Sequence, residues 1–271
     1  MVPPSKFMDP MSVHGFTSPT VIDWGDSVFD VFCQAIEDHD FTLQDRDVVI
    51  VTSKVVSMEE NSRAELSHIQ PSPEAMSLAE TTRMDPRVVQ LVLDEANGEV
   101  FGGVFHAILA KTNSGLSANA GIDLSNCPEG YALLLPRDPD RSARSFRQKV
   151  LNRYGKKVAV LVTDSRTIPL KRGTTGVTLG IAGMHPVIDE RGKKDLYGYT
   201  MTITTRAVAD NLATVANMVM GETSERRPFA VIRNVEFEET DEEVSMSTTL
   251  MPEDECLYFG PLLKLIREAR Q

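Results

Sequence analysis

Two stretches of the sequence place oxygen-bearing side chains behind apolar runs. Residues 119–126 combine two amides, a carboxylate (Asp123), a hydroxyl and a glycine, and they follow the apolar residues 104–110. Residues 163–165 combine a carboxylate (Asp164) with two hydroxyls, directly behind the apolar residues 158–162. If both runs are strands, each delivers an aspartate and small oxygen donors to a strand end. Mg²⁺ and Mn²⁺ take such ligands, usually one or two carboxylates completed by phosphate and water.

A turn stabilised by its own side chains is the alternative explanation for the first stretch. Asn, Asp and Ser commonly bond to backbone amides two residues further on, which would account for residues 119–126 without any ligand. The same design recurs at residues 163–165, and this repetition favours a cation site with Asp123 and Asp164 as ligands.

Positively charged side chains near these stretches indicate that the site also meets anions. Lys54 follows a third apolar run, residues 48–51, and Arg166, Lys171 and Arg172 lie close to Asp164 in sequence. Arginine suits bidentate capture of carboxylate or phosphate. A solvated lysine at a strand end explains Lys54 equally well.

Several familiar sites are absent from the sequence. Neither G-x-x-x-x-G-K-[ST] nor a G-x-G-x-x-G behind a strand occurs, and no serine sits in a G-x-S-x-G elbow. Of the five histidines only His14 is a candidate for a site, and a surface or core histidine is the commoner case. The residues alone therefore predict a metal-dependent enzyme that acts on a phosphorylated or carboxylated substrate.

The bulk composition limits the classes of protein to which the chain can belong. A formal net charge of −11 over 271 residues argues against a nucleic-acid-binding surface. Three cysteines without metal-site spacing fit a reducing compartment, and no apolar run approaches the roughly 18 residues that cross a bilayer. We therefore expect a cytoplasmic protein without membrane or nucleic-acid partners. Residues 1–11, with three prolines before residue 11, are expected to be a flexible leader.

The hydrophobic pattern predicts alternating strands and helices of a mixed α/β (α+β) fold rather than a regular doubly wound sheet. The glycine-rich residues 173–183 predict strands that lie close to another backbone or a ligand. The acidic residues 236–243 predict a solvated loop. Predicted strands cover residues 48–51, 133–135, 158–162 and 229–232. Predicted helices cover residues 28–36, 73–78, 85–93, 207–220 and 262–269. A further helix is predicted to be capped by Asp140 or Ser142 and to run to Tyr154. The helix at residues 207–220 has an apolar stripe of Val208, Leu212, Val215, Met218 and Val219.

Short stretches in a fixed order identify a resemblance to a known family. The sequence resembles coenzyme F420-0:L-glutamate ligases, also called F420 γ-glutamyl ligases, over roughly residues 12–234. The matching stretches are residues 51–57, 118–126, 134–140 with 142–143, 163–165, 173–183, Asp189 with Arg191, Gly192 and Asp195, residues 209–210 and residues 220–222.

The resemblance implies a GTP-dependent amide ligase. Members join the carboxylate of coenzyme F420-0 to the amine of L-glutamate through an acyl phosphate, with two Mg²⁺ or Mn²⁺ ions and K⁺. It also implies an F420 γ-glutamyl ligase-like fold with mixed sheets in an intertwined homodimer. Residues 12–271 would then form two interleaved lobes rather than separable domains.

Site residues also follow from the resemblance. Asp123 and Asp164 fall on divalent-metal positions, and Ser165 and Glu222 fall on positions that hold a second ion. The positions that contact GTP correspond to Val13, His14, Gly15, Phe16, Ser53, Lys54, Asn126, Gly221, Glu222, Thr223, Ser224, Glu225, Arg226, Arg227 and Pro228.

The chain departs from the family pattern at four positions. Met58 stands where a lysine is usual, Asn61 and Asn234 where a glycine is usual, and Tyr199 where an arginine is common. Three alternatives therefore remain open: a paralogous ligase for another carboxylate and amine, a non-catalytic nucleotide- or deazaflavin-binding protein, and a simple metal-dependent hydrolase.

Overall fold

The computed structural model describes residues 9–96 and 99–269. The leader expected over residues 1–11 lies mostly outside these residues. In chain order the elements are β1 (Ser12–Phe16), α1 (Val28–Asp38), β2 (Val48–Thr52), α2 (Ser53–Glu59), β3 (Arg63–Glu65), α3 (Pro73–Thr82), α4 (Pro86–Glu95), β4 (Val100–Val104), β5 (Ala107–Thr112), β6 (Gly115–Ala118), β7 (Tyr131–Leu133), α5 (Pro139–Tyr154), β8 (Ala159–Thr167), β9 (Thr174–Ala182), β10 (Val187–Asp189), β11 (Thr205–Ala207), α6 (Val208–Met220), β12 (Phe229–Arg233) and α7 (Phe259–Ala269).

A five-stranded mixed sheet in the order β1-β12-β2-β8-β9 forms the centre of the fold. Only β2 and β8 pair in parallel, and the other neighbours pair antiparallel. The first four residues of β2 are all buried, as expected for a strand covered on both faces. The mixed α/β class predicted from the sequence is confirmed.

Helices cover both faces of this sheet and produce a three-layer structure. Apolar residues of α1 and α5 pack on the face that presents Val49 and Val160, and those of α6 pack on the face that presents Ile50 and Leu161. This alternation follows from the two-residue period of a strand.

Two glycines of β9 let the helices approach the sheet closely. A Cβ at Gly180 would lie 2.1 Å from the carbonyl carbon of Pro139 in α5, and one at Gly176 would lie 2.3 Å from that of Ala213 in α6. An extra residue in β9, opposite the step from Val162 to Thr163, shifts the register between the two glycines, so they face opposite layers. The expectation that this glycine-rich segment lies against another backbone is confirmed.

A second core lies between α2 and α5 in the chain. There α3 and α4 pack on the antiparallel sheet β4-β5-β6 around buried residues such as Val89, Val92 and Ile108. The small pairing β3-β7 leads into this unit and out of it. Its return segment brings residues 119–126 back towards the central sheet.

The structure corrects the expected strand at residues 104–110. This run contains the turn between β4 and β5, with His106 at a positive φ of 61°. Strand β6 then separates the run from Asn119. The strand expected at residues 133–135 also begins earlier and ends at Leu133.

Two predicted helix details are also wrong. The cap of α5 is Asp138, whose carboxylate accepts a hydrogen bond from the backbone N–H of Arg141, while Pro139 takes the first helical position. The predicted candidate Asp140 instead accepts a hydrogen bond from the backbone N–H of Ile181 in β9. On α6, Met218 is 85% exposed and does not belong to the buried stripe.

The acidic loop is less solvated than expected. Phe237 is buried against the α6 face of the sheet, and Asp241 forms ion pairs with Arg147 and Lys157. No helix in the described part of the chain is long and apolar enough to span a bilayer.

An ion pair ties the last strand to the loop before β2. Asp47 is fully buried, and its two carboxylate oxygens accept hydrogen bonds of 2.7 Å from Nε and Nη2 of Arg233. Arg233 also donates to the carbonyl of Thr42. A buried carboxylate is strongly destabilising once its partner is removed.

We therefore expect Arg233→Met to lower the free energy of unfolding by about 3 kcal/mol, because Asp47 would stay buried without a counter-charge. Urea denaturation measures this change. The control Arg191→Met removes an exposed pair with Asp189 and should leave stability nearly unchanged. Equal effects of the two substitutions would contradict the assigned importance of the buried pair.

Candidate functional site

A cleft of about 650 Å³ opens at the carboxyl ends of the parallel strands β2 and β8. Six separate segments of the chain line it: residues 18–22, the end of β2 with α2, residues 118–126, the outer part of β8, Thr174 at the start of β9, and the end of α6 with the loop of residues 221–228. Ligands often bind beyond the carboxyl ends of parallel strands, where side chains from several elements meet.

Asp164 reaches the cleft from the outer half of β8. The first five residues of β8 are buried, and from Asp164 onwards the strand leaves the core. One carboxylate oxygen of Asp164 accepts a hydrogen bond of 2.9 Å from the backbone N–H of Ser165. The strand expected over residues 158–162 continues to Thr167, so Asp164 lies within the outer half of β8 and not at a strand end.

Asp123 reaches the same cleft by a different route. Its backbone forms an isolated antiparallel bridge with Leu133 of β7, with N–O distances of 3.0 and 2.9 Å. A 3₁₀ turn of residues 119–121 precedes it, and Gly121 there has a φ of 78° and lies against Leu135. Asp123 therefore lies in a loop anchored to a neighbouring strand, and the expectation of a strand end is wrong.

The turn chemistry proposed as an alternative is also present. The backbone N–H of Ser125 donates to Oδ1 of Asp123 over 2.6 Å, and the side-chain oxygen of Asn119 accepts from the backbone N–H of Ile108. These bonds fix the loop. They leave Oδ2 of Asp123 directed at the side chain of Lys54.

Lys54 places a positive charge beside Asp123. Its ammonium nitrogen lies 2.7 Å from Oδ2 of Asp123 and donates a hydrogen bond of 2.6 Å to Oγ of Ser125. Burial acts to raise the pKa of Asp123, but hydrogen bonds from Lys54 and Ser125 and the charge of Lys54 outweigh it and lower this pKa.

The pKa of Asp164 moves in the opposite direction. Burial is the main cause of a rise in this pKa to about 6; the negative charge of Asp123 adds to the rise, and the Ser165 N–H and the charges of Lys54 and Arg166 oppose it. Both carboxylates line the same cleft.

A second polar cluster forms around Glu222. Its Oε1 accepts hydrogen bonds from Oγ of Ser165 at 2.8 Å, from Oγ1 of Thr174 at 3.1 Å and from Nδ2 of Asn217 at 3.1 Å. Asn217 also donates to Oγ of Ser165 at 3.2 Å. Sequence reasoning missed Thr174 and Asn217. The available signal for Asn217 was its position, because it is a polar residue one turn before the end of α6 and close to the glycine that ends the helix.

The loop of residues 221–228 closes one side of the cleft. Gly221 has a φ of 79°, a backbone conformation that favours glycine, so the chain turns sharply away from α6. The carboxylate of Glu225 accepts from the backbone N–H of Thr223, and the carbonyl of Thr223 accepts from Nδ2 of Asn126 at 2.9 Å. Asn126 thus joins this loop to the one that carries Asp123.

Most residues predicted for the site line the cleft. The lining residues from that prediction are Lys54, Asp123, Asn126, Asp164, Ser165, Gly221, Glu222, Thr223, Ser224, Glu225, Arg226, Arg227 and Pro228.

The other predicted residues lie in or next to the central sheet. Val13, His14, Gly15 and Phe16 form β1, and Ser53 is buried at the start of α2. None of the five belongs to the described residues that line the cleft. Their contact with a nucleotide stays a prediction.

The β1 residues have structural surroundings. The His14 ring lies 4.9 Å from that of Phe41, and Phe16 is buried in the core. A Cβ at Gly15 would lie 3.0 Å from the carbonyl oxygen of Val219. Gly15 therefore serves the close approach of α6 to β1.

The other cations suggested by the sequence take different positions. Arg166 is half-buried and donates to Oγ of Ser114 at the tip of the β5-β6 turn. Burial lowers its pKa, although the charges of Asp164 and Asp210 oppose this. Lys171 and Arg172 are exposed in the turn between β8 and β9.

The donor set of the cleft fits a hard divalent cation. It offers two aspartate carboxylates, two glutamate carboxylates and hydroxyl oxygens, and the carboxylate of Asp164 is largely removed from water. Within residues 9–96 and 99–269, no three His, Cys, Asp or Glu side chains form a ready-made metal cluster. Mg²⁺ commonly takes only one or two protein carboxylates and completes its shell with phosphate and water, so this sparse set matches its chemistry.

Comparison with known proteins assigns the chain to one group. A family model described as F420-0:Gamma-glutamyl ligase matches residues 18–234. A coenzyme F420:L-glutamate ligase of Methanothermobacter thermautotrophicus is 34% identical over 251 residues, covering 92% of this chain and 99% of that protein. Proteins of the same name from Methanopyrus kandleri and Methanosarcina acetivorans are 39% and 37% identical, covering 78% and 85% of this chain and 82% and 88% of their own lengths.

The link between the two cleft loops provides a test of the site geometry. We expect Asn126→Ala to accelerate hydrogen–deuterium exchange in residues 222–226, because the loop loses its bond to Asn126 Nδ2. Exchange in α6 should stay unchanged. The control Asn152→Ala removes an amide from an exposed face of α5 and should leave the loop unaffected. Unchanged exchange in both variants would contradict the proposed link.

Proposed function

The chain belongs to the F420-0:gamma-glutamyl ligase family, and we propose that it joins coenzyme F420-0 to L-glutamate with GTP as co-substrate. As a member of this family it is a ligase that forms an amide bond. The observation that carries the specific proposal is the meeting of Asp123, Asp164 and Lys54 in one cleft that also contains the 221–228 loop. The family resemblance inferred from the sequence is confirmed.

The proposed reaction has two steps. In the first, a carboxylate oxygen of F420-0 attacks the γ-phosphorus of GTP, the new O–P bond forms, and the bond to GDP breaks. In the second, the amine of L-glutamate attacks the acyl phosphate, phosphate leaves with the bonding electron pair, and the amine loses a proton. Both steps bring anionic groups together, so alignment and charge neutralisation are the main tasks of the protein.

The proposed cofactors are two Mg²⁺ or Mn²⁺ ions and K⁺. Asp123 and Asp164 would hold one divalent ion, and Ser165 with Glu222 would hold the second. Bound divalent ions would supply charge stabilisation for the phosphoryl group and its leaving group. A net charge of −11 is compatible with a polyanionic substrate only if the sign of the local charge is reversed at the site.

Nucleotide contact is proposed for the cleft residues of the GTP set. Lys54, Arg226 and Arg227 provide positive charge, and Asn126 fixes the loop that carries the two arginines. Since the sequence contains no G-x-x-x-x-G-K-[ST] motif, recognition would depend on these side chains and on the backbone of residues 221–228.

One observation favours a second candidate, a paralogous ligase. Met58 lines the cleft, but only 8% of its surface is exposed. It packs in the main core and offers no charge where a lysine is usual in the family. This candidate would have an altered nucleotide affinity and would use another carboxylate or amine substrate.

Product analysis separates the candidates. Incubation with GTP, Mn²⁺, F420-0 and L-glutamate should give GDP and a mass gain of one glutamate residue. GDP release only with another acid or amine supports the paralogue, and GDP release without any amine supports a hydrolase. Nucleotide or deazaflavin binding without turnover supports the non-catalytic binder.

We also propose a cytoplasmic homodimer. The segment between β10 and β11 carries apolar side chains that are almost fully exposed, with Leu196 at 98%, Tyr197 at 97% and Ile203 at 85%. Exposed apolar patches of this kind mark interaction surfaces, and a second copy of the chain is the partner that the family resemblance predicts.

We expect Asp123→Ala and Asp164→Ala each to lower ligase turnover by roughly 10³-fold or more, because charge stabilisation by a bound metal contributes several kcal/mol. Coupled GDP release and mass spectrometry measure turnover, and circular dichroism checks that the fold is intact. The control Asp38→Ala removes an exposed carboxylate at the end of α1, outside the cleft, and should keep full activity. Near-normal activity of either cleft variant would remove the metal site from the mechanism.

The homodimer predicts the effect of charge on the β10-β11 segment. The double substitution Tyr197→Asp and Ile203→Asp should halve the mass measured by light scattering, because two carboxylates would be buried at the interface. The control Val104→Asp changes an apolar position on the second sheet that is 71% exposed and should leave the mass unchanged. A wild-type mass equal to one chain would refute the dimer.

A further inference from the structure

The contacts of Lys54 bear on the order in which ligands enter the cleft. Its ammonium lies 2.7 Å from Oδ2 of Asp123 and 2.6 Å from Oγ of Ser125, and Oδ1 of the same aspartate is held by the backbone N–H of Ser125. Both oxygens of Asp123 are therefore engaged by the protein. Asp164 lines the same cleft as this ion pair.

The backbone holds Lys54 in this position. Thr52 ends β2, and α2 begins immediately at Ser53, so Lys54 lies in the first turn of the helix. Val55 and Val56 anchor this turn in the main core. The side chain of Lys54 is 26% exposed and forms part of the cleft wall. Its Cα is fixed while its ammonium can change partner.

We propose that Lys54 is an exchangeable counter-cation that neutralises Asp123 until the nucleotide arrives, and that it then transfers its charge to phosphate and frees Asp123 for a divalent ion. This proposal rests on the function proposed above for Asp123 and Asp164. It adds that metal binding and nucleotide binding are coupled through one lysine, in addition to any direct contact between metal and phosphate.

Competition between two cations is the physical basis. A divalent ion at Oδ2 of Asp123 would lie close to an ammonium that contacts the same oxygen, and like charges at such a separation repel strongly in a partly buried cleft. The ion must therefore displace Lys54. A phosphate group offers the displaced ammonium a new partner, since lysine binds phosphate as a point charge. Without nucleotide, displacement leaves this ammonium without an anionic partner in place of Asp123, with only neutral groups such as the Ser125 hydroxyl and water.

The affinity for metal alone separates this role from that of a lysine that only contacts nucleotide. Loss of Lys54 should tighten the binding of metal alone, because no cation competes for Asp123. It should also weaken nucleotide binding and reduce the degree to which nucleotide promotes metal binding. A lysine that only contacts phosphate would leave the affinity for metal alone unchanged.

Mn²⁺ titration of the full chain, followed by electron paramagnetic resonance of free Mn²⁺, tests this proposal without an activity assay. We expect Lys54→Met to bind Mn²⁺ alone at least about tenfold more tightly than the wild type. We expect the increase in Mn²⁺ affinity caused by a non-hydrolysable GTP analogue to fall by at least about tenfold. Lys54→Gln should behave in the same way, and it replaces Lys54→Met if that variant loses its circular dichroism spectrum.

Two control variants separate the specific effect from general charge. Lys54→Arg keeps a cation beside Asp123 and should retain wild-type coupling. Lys171→Met removes one positive charge from the exposed turn between β8 and β9 and should change Mn²⁺ affinity less than about twofold, since exposed charges are screened by salt.

The outcomes distinguish this inference from the proposal on which it depends. Unchanged or weaker binding of Mn²⁺ alone by Lys54→Met and Lys54→Gln would overturn the counter-cation role while leaving the metal site standing. No Mn²⁺ binding by the wild type or any variant, with or without nucleotide, would overturn the metal site itself and the inference with it.

Discussion

The constraint on which the site depends is that two carboxylates of like charge, Asp123 and Asp164, share one partly buried cleft. Such an arrangement is unfavourable unless a cation offsets the repulsion. The Lys54 ammonium does so at 2.7 Å from Asp123, while burial leaves Asp164 with a pKa of about 6. The protein thus maintains a site whose charge balance changes whenever a cation or an anion enters.

The fold meets this constraint by bringing distant parts of the chain to one edge of the sheet. Strand β8 supplies Asp164, the segment returning from the second core supplies Asp123, and α2 supplies Lys54. The bridge between Asp123 and Leu133 and the bond between Asn126 and Thr223 lock the return segment in place. The three-layer core therefore fixes the backbone positions of the residues that would bind ligands in the cleft.

Local patterns in the sequence were sufficient for the elements that end at the site. Continuous apolar runs predicted β2 and β8 because strands buried on both faces lack alternation, and the stop of the second run at Thr163 located Asp164. The route to Asp123 was not predictable in this way. The apolar run of residues 104–110 is typical of one strand, but the chain reverses its direction at His106. This residue has a left-handed backbone conformation although it is not a glycine. Contacts such as Lys54 with Asp123, or Asn217 with Glu222, join residues from different elements and cannot be predicted from sequence spacing.

The central claim is that Asp123 and Asp164 together hold a divalent cation beside a nucleotide. A crystal structure with Mn²⁺ and GDP, in which anomalous scattering locates the metal, tests it most directly. The account predicts an anomalous peak in the cleft with carboxylate oxygens of both aspartates within about 2.0–2.6 Å of one ion or of neighbouring ions. GDP bound in the cleft with Mn²⁺ held by other residues, or with the two carboxylates turned away from the metal, would contradict it.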